Sequence, residues 1–129
     1  MASSKKPRKT RFIGIPYHVG NSPEFASLDG NETRLLVHLL LQFNGRNNGK
    51  LSPTHSLMRN KGWAKSSLYR AKNGLLEKGF LKVTRQGWKQ RGHPTLVAVT
   101  WEGIDECGVE YDEGIAISTV PLGSWRRIQ

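Results

Sequence analysis

The chain of 129 residues contains one cysteine, Cys107, which excludes an internal disulfide framework and fits a reducing compartment. Long apolar runs are also missing. The longest, residues 35–41, is interrupted by His38 and is far shorter than the ~18 apolar residues of a membrane span. No apolar block follows the N-terminal lysines and arginines, so a secretory signal is not expected. These absences predict a cytoplasmic protein without membrane contact.

Acidic residues are scarce over most of the chain. Residues 1–101 contain 18 lysines and arginines against 4 acids, whereas residues 102–113 contain 6 acids and no base. A strongly positive field attracts polyphosphates and accelerates encounter with them, whereas a surface that serves only solubility normally mixes both signs. The overall charge of +10 therefore indicates nucleic acid as a partner.

The hydrophobic pattern predicts one small domain of α+β class, mainly α. Asp29 and Glu32 form a capping-box pattern ahead of leucines at helical spacing, which predicts a first, buried helix. Ser22-Pro23 predicts a short helical turn, and Ser52-Pro53 predicts the start of a further helix that ends at Gly62. Trp63 is expected to fill the corner before the next helix.

The next helix is predicted over residues 65–78, with Leu68, Ala71, Leu75 and Leu76 buried and Gly79 as its C-terminal stop. Two alternating segments, residues 80–85 and 95–101, predict a β-hairpin with a glycine-containing basic loop between them. Leu81 and Val83 are expected on one face of the first strand, and Lys82 and Thr84 on the other.

Helix, tight turn, helix and basic hairpin follow one another as in a winged helix-turn-helix, whose second helix enters a DNA major groove. Arginine matches the guanine edge and asparagine the adenine edge, while lysine contacts phosphate. The DNA-binding candidates on the second helix are Lys65, Ser66, Ser67, Tyr69, Arg70, Lys72 and Asn73. The candidates in the wing are Arg85, Lys89 and Arg91.

Residues 1–11 lack apolar side chains beyond Met1 and Ala2 and are predicted to form a disordered basic arm. Such arms follow phosphates or enter a groove, and the candidates here are Lys5, Lys6, Arg8, Lys9 and Arg11. The winged helix-turn-helix domain is predicted over residues 12–101. Residues 102–129 are predicted to be an acidic extension packing on or beside that domain. Within this extension, residues 114–121 are expected to lie on the domain, and Trp125 is a candidate anchor.

Catalysis and metal binding have little support in the sequence. The acids of residues 102–113 lack the spacing of a calcium loop, and a solvated acidic tail is the simpler interpretation. His18, His38, His55 and His93 fall in four different elements and share no ligand spacing. Cys107 has no local base that would make it a nucleophile. The sequence therefore predicts a non-enzymatic protein without metal or cofactor.

Four stretches resemble small proteobacterial and prophage winged helix-turn-helix proteins, a family often described as replication-initiator-like. They are FIGIP at residues 12–16, QFNGRNNG at 42–49, LLEKGF at 75–80 and VTRQG at 83–87. The resemblance covers about residues 11–108 and implies a bacterial or phage origin and DNA binding through residues 65–78. Ala64 departs from the serine cap usual in such helices, which leaves Ser66 as an alternative start.

The expected function is sequence-specific binding of double-stranded DNA, in transcription regulation or in replication. The sequence does not separate these two roles, nor activation from repression, and it leaves the target site and a homodimer open. A protein-interaction winged helix, a phage factor that inhibits or recruits a host complex through Trp88 or the acidic tail, is the second hypothesis. RNA binding is a third, with less support because no stacking-aromatic motif is present.

Overall fold

The computed structural model describes residues 10–88 and 92–126. Within these ranges the protein is α+β, mainly α, with five α-helices and one two-stranded antiparallel sheet. The helices are α1 (Tyr17–Gly20), α2 (Pro23–Ala26), α3 (Gly30–Leu40), α4 (His55–Met58) and α5 (Lys65–Glu77). The strands are β1 (Leu81–Arg85) and β2 (Leu96–Val99).

Helix α3 begins at the predicted capping box. The Asp29 carboxylate accepts a hydrogen bond from the Glu32 backbone at 2.7 Å, and the Glu32 carboxylate accepts one from the Asp29 backbone at 2.9 Å. These two bonds satisfy amides that a helix N-terminus otherwise leaves without partners. Four leucines at helical spacing are buried along α3 and form the centre of the core: Leu35, Leu36, Leu39 and Leu40.

Helix α5 packs on α3 through Leu68, Ala71 and Leu75, which are buried. It begins at Lys65, with Ala64 at the N-cap position and no side-chain cap. The alternative start at Ser66 is therefore wrong. The predicted glycine stop is confirmed by the left-handed backbone of Gly79, at φ 83°.

The turn between α4 and α5 has the predicted Gly62, at φ 84°, and the predicted buried Trp63. The predicted helix start at Ser52-Pro53 is wrong, because α4 begins only at His55. The side-chain amide of Gln42 explains the difference. It donates to the Ser52 carbonyl at 2.9 Å and accepts from the Ser52 amide at 2.7 Å, which holds this residue as if it were paired with a strand.

The hairpin pairs Leu81 with Val99 and Val83 with Val97, and Leu51 forms an isolated antiparallel bridge to Val97. The register is irregular between Val83 and Arg85. Because of this irregularity Thr84 turns inward, is fully buried, and donates its hydroxyl to the Gly49 carbonyl. The prediction that Thr84 shares the outer face of Lys82 is therefore wrong.

Every residue of β2 is buried, so this strand belongs to the interior of the domain. Trp125 is 4% exposed and belongs to the core, which confirms it as an anchor. The expectation that residues 114–121 lie on the domain is wrong for two of their apolar side chains, since Ile117 is 52% and Val120 is 70% exposed.

The element order, helix α3, the Leu51 bridge, helices α4 and α5, and then the hairpin, is compatible with a winged helix. In the part of the chain that the structure describes, no helix has both the length and the apolar character needed to cross a membrane.

Candidate nucleic-acid interface

Helix α5 presents the predicted polar residues on the side opposite its buried leucines. Lys65, Ser66, Tyr69, Arg70 and Asn73 are exposed, while Ser67 and Lys72 are half-buried. Residues four and three apart on a helix lie on one stripe. Two parallel stripes therefore run along this face. One is formed by Lys65, Tyr69 and Lys72, and the other by Ser66, Arg70 and Asn73.

The cations of this face have no carboxylate partner within residues 10–88 and 92–126. The ion pair found in these ranges joins Lys78 to Glu32 at 2.7 Å, beyond the C-terminal end of the face. The Lys72 ammonium lies 5.1 Å from the centre of the Tyr69 ring, which orients both side chains without neutralising the charge. Lys65, Arg70 and Lys72 therefore remain available to an anion from outside.

A cleft of about 230 Å³ separates α5 from the N-terminal end of α4 and the start of β2. Lys65 and Lys72 line it from α5, with Tyr69 between them, and Thr54 and Thr95 add hydroxyl groups from the other side. Two ammonium groups and several hydroxyls around a small cleft can bind a phosphate oxygen through charge-assisted hydrogen bonds.

The first turn of α5 adds to this positive potential. Ala64 supplies no side-chain acceptor to the first amides of the helix, and the first turn contains no acid. Uncapped amides at a helix N-terminus carry the positive end of the helix dipole. A serine at this position would satisfy one of those amides internally.

Arg85 lies at the base of the wing and is half-buried. One terminal nitrogen of its guanidinium donates to the Pro94 carbonyl at 3.0 Å, and its Nε is buried without a partner among the described residues. Arg85 thus braces the loop, and only part of its guanidinium remains free for another partner. The other two wing candidates, Lys89 and Arg91, lie outside the described residues.

Of the arm candidates, Arg11 is exposed at the edge of a groove formed with Phe12 and the end of α3. Lys5, Lys6, Arg8 and Lys9 lie outside the described residues. Phe12 is 91% exposed, whereas Ile13 and Ile15 pack against the core. The chain before α1 is thus held to the domain by alternate residues.

The acidic segment is attached to the hairpin through backbone contacts that the sequence did not indicate. The Asp112 amide donates to the Thr84 carbonyl at 2.9 Å, and the Asp112 carboxylate accepts from the Gln86 amide at 2.7 Å. Residue 112 therefore lies along the edge of β1 that β2 leaves free. The Asp105 carboxylate accepts from the Asn48 amide at 2.8 Å. Asp105 is half-buried, so the interpretation as a solvated tail is wrong for this acid, whereas Asp112 is exposed to solvent while bonded to the hairpin.

The segment also holds the single cysteine. The Cys107 thiol lies 3.2 Å from the Tyr111 hydroxyl, which in turn donates to the Asp105 carbonyl. Burial, followed by the hydrogen bond with Cys107, raises the pKa of the Tyr111 phenol above its usual value. Across the described ranges, no three His, Cys, Asp or Glu side chains come close enough to hold a metal ion.

Sequence reasoning missed one exposed ring arrangement. Trp88 stacks on His93, with ring centres 4.2 Å apart and planes inclined by 26°, and its amide donates to the His93 carbonyl at 2.9 Å. These residues stand five apart around the loop tip, and no periodic pattern connects them.

Comparison of the chain with protein-family models, with curated proteins and with solved structures gave no match.

Proposed function

We propose that this protein binds double-stranded DNA sequence-specifically as a winged helix-turn-helix, with α5 in the major groove. It acts in transcription regulation or in replication of a bacterium or mobile element, and it performs no catalysis of its own. The observation that supports this most is the outward face of α5. Among the described residues, the three cations of this face have no carboxylate partner, while the opposite face packs on α3.

The residues of that face have distinct roles in the proposal. Arg70 and Asn73, which are exposed and about one helical turn apart, contact guanine and adenine edges through paired hydrogen bonds in this proposal. Lys65 and Lys72 contact phosphates through the cleft beside α4. Lys89 and Arg91 of the wing, and the basic residues before α1, contact neighbouring phosphates irrespective of sequence.

The decisive variant is Arg70→Ala. We expect it to weaken specific binding by about 1–3 kcal/mol and to relax the preference at one base position. The matched control is Arg46→Ala, which removes the same charge from an exposed loop outside α5. Selection of bound sequences from a random DNA pool, followed by titration at several salt concentrations, measures both effects. If the two variants lose the same amount of affinity, and Arg70→Ala keeps the base preference of the wild type, Arg70 is excluded as a base contact.

A protein-interaction winged helix is the second candidate function. The observation that favours it is that exposed Trp88 and the acidic Glu110 line one cleft beside the wing. Salt distinguishes the two functions. DNA affinity falls steeply with rising salt because counterions are released on binding, whereas an apolar protein interface is much less sensitive. Affinity for DNA that does not change between low and moderate salt would favour the second candidate.

A further inference from the structure

A second cleft lies between the wing and the acidic segment, on the outer edge of β1. Its volume is about 290 Å³. We call it the wing cleft, and it is lined by Arg85, Trp88, His93, Glu110, Tyr111 and Asp112. It combines an aromatic surface with carboxylates in a protein that is otherwise strongly basic. The cleft beside α4 lacks these carboxylates and suits phosphate, so the two clefts suit different ligands.

Trp88 is 63% exposed, whereas Trp63, Trp101 and Trp125 are 3%, 8% and 4% exposed. An indole ring that is so exposed to water does not gain the free energy that burial of its large apolar surface would provide. Its position is nevertheless fixed, because His93 covers one ring face and the backbone bond to His93 closes the loop beneath it. Trp88 is therefore a preorganised aromatic surface that loses little conformational entropy when a second ring stacks on it.

The base of this loop is also fixed. The Gly87 amide donates to the Thr95 hydroxyl at 3.0 Å. A Cβ at Gly87 would collide with the Thr95 backbone, so the two sides of the loop approach closely there. This contact and the Arg85 bond to Pro94 keep the two sides of the loop together next to Trp88. Because both ends of the loop are fixed, the Trp88 ring has a defined orientation relative to the acidic segment.

The carboxylates define what can occupy the wing cleft. Glu110 is exposed, and Asp112 uses one oxygen for the Gln86 amide. Carboxylates repel phosphate but accept hydrogen bonds from the N–H groups of bases. An occupant with a flat ring and adjacent N–H donors fits both features. Guanine has this chemistry, since the N1–H and N2–H₂ groups on one edge match the two oxygens of a carboxylate.

We propose that the wing cleft binds an unpaired guanine of the target DNA, which stacks on Trp88 while Glu110 accepts hydrogen bonds from its Watson–Crick edge. In a duplex these donors are paired with cytosine, so only a guanine in a single-stranded overhang, bulge or opened step offers them. This inference rests on the proposed DNA binding and extends it. The duplex held by α5 carries, on the wing side, an unpaired base that the wing cleft recognises.

The experiment compares three DNA hairpins that contain the same duplex site. One is blunt, one has a single-stranded guanine overhang and one has a thymine overhang. Because Trp88 is the exposed tryptophan within the described residues, quenching of tryptophan fluorescence reports stacking at this site. We expect the guanine overhang to quench fluorescence and to bind more tightly than the blunt hairpin. Stacking of one base corresponds to about 5- to 150-fold in affinity.

The variants separate stacking from general effects. Trp88→Ala removes the gain from the guanine overhang and the quenching, whereas Trp88→Phe, which keeps a flat ring, retains part of the gain. Tyr17→Ala is the control, because Tyr17 is another exposed aromatic, 81% exposed and distant in sequence. Glu110→Gln reduces the preference for guanine over thymine. Glu113→Gln removes the same charge outside the wing cleft and leaves that preference unchanged.

Each outcome has a defined consequence. If the blunt hairpin binds but the guanine overhang adds neither affinity nor quenching, the wing-cleft proposal is overturned while the proposed function stands. If the blunt hairpin fails to bind and a single-stranded guanine oligonucleotide still quenches Trp88, the wing cleft is supported and duplex binding fails. If neither the DNA hairpins nor the single-stranded oligonucleotide binds, and an arginine-containing peptide quenches Trp88 instead, both proposals are wrong and a basic protein partner is favoured.

Discussion

The two sides of this small domain are held together by different means. On the helical side, α3 and α5 contact each other through apolar side chains such as Leu35 and Leu75, which are fully buried. On the side beyond β2, polar side chains bond directly to backbone groups. Asn48 is the clearest example, with no exposed surface and four bonds from its side chain. The free energy gained from apolar packing grows with the area buried. A buried polar group instead stabilises the fold only if its hydrogen-bond partner is present, because an unpaired buried group is costly.

The side chain of Asn48 makes hydrogen bonds to β2 that a neighbouring strand would otherwise make. Its side-chain oxygen accepts from the Val99 amide at 2.9 Å, and its side-chain nitrogen donates to the Val99 carbonyl at 3.0 Å and to the Gly103 carbonyl at 2.8 Å. One side chain therefore satisfies the free edge of β2 and fixes the turn that leads into the acidic segment. The backbone of Asn48 completes the attachment through reciprocal bonds with Asp105.

The largest expected effect is that of Asn48→Ala. It leaves the Val99 backbone groups and the Gly103 carbonyl buried without partners, which should lower the free energy of unfolding by about 2–5 kcal/mol. Chemical denaturation measures the change. The control is Asn44→Ala, which removes an exposed side chain whose one hydrogen bond among the described residues is to the Arg46 amide at 2.8 Å. A loss in Asn48→Ala no greater than that in the control would show that apolar packing alone holds this side.

The same contrast explains how much the sequence could predict. The capping box at Asp29, the buried stripe that includes Leu75 and the glycine stop at Gly79 are local patterns, and the structure confirms each of them. The start of α4 and the inward turn of Thr84 depend on partners distant in sequence, and both predictions failed. A side chain that bonds a remote backbone group leaves no periodic signal.

The candidate site divides in the same way. The exposure of Arg70 and Asn73 follows from helical spacing, and the structure confirms it. The bracing of the wing by Arg85 and the edge contact of Asp112 could not be predicted, since both depend on how the loop closes. Helix α1 was missed because its four residues have no side-chain cap and only one buried member, Val19. The predicted roles of α5 in DNA binding remain predictions.

A substitution at Gly74 tests whether apolar contacts alone hold α3 and α5 together. Glycine inside a helix usually costs up to ~1 kcal/mol relative to alanine, so Gly74→Ala would ordinarily stabilise α5. Here an added Cβ would collide with the buried Glu32 carboxylate, which is held by the Asp29 amide and by Lys78. We expect Gly74→Ala to lower the free energy of unfolding by about 1–2 kcal/mol, because the overpacked carboxylate must leave both partners.

A double-mutant cycle isolates this collision. In a Glu32→Ala background the carboxylate is gone, and Gly74→Ala should become neutral or stabilising by up to ~1 kcal/mol. Thermal or chemical denaturation of the four proteins gives the interaction energy. The same sign for Gly74→Ala in both backgrounds would mean that Glu32 does not determine why glycine is needed here, and the helical side would depend on apolar contacts alone.

The smallest expected effect is a pH dependence at the turn between α4 and α5, where Trp63 contacts His38 of α3. The Trp63 indole donates to His38 Nδ1 at 2.7 Å, which requires that nitrogen to be unprotonated. Burial, and then the positive charges of Arg34 and Lys61, lower the pKa of His38 below its usual 6.5. The unfolded chain therefore binds this proton at a higher pH than the folded protein does. Stability from this group is complete above about pH 6.5 and falls as the pH decreases toward the folded pKa.

Protonation of His38 removes the hydrogen bond from Trp63, so we expect a loss of about 0.5–1.5 kcal/mol on acidification. His38→Asn is the informative variant, because its side-chain oxygen occupies the place of Nδ1 and cannot be protonated in this range. Denaturation at pH 7.5 and at pH 5, chosen to lie about one unit or more on either side of the ordinary histidine pKa, measures the difference between wild type and variant. The variant should lose less stability than wild type on acidification. Equal losses would attribute the pH dependence to other groups and would leave Trp63 held at this corner by packing rather than by its polar contact.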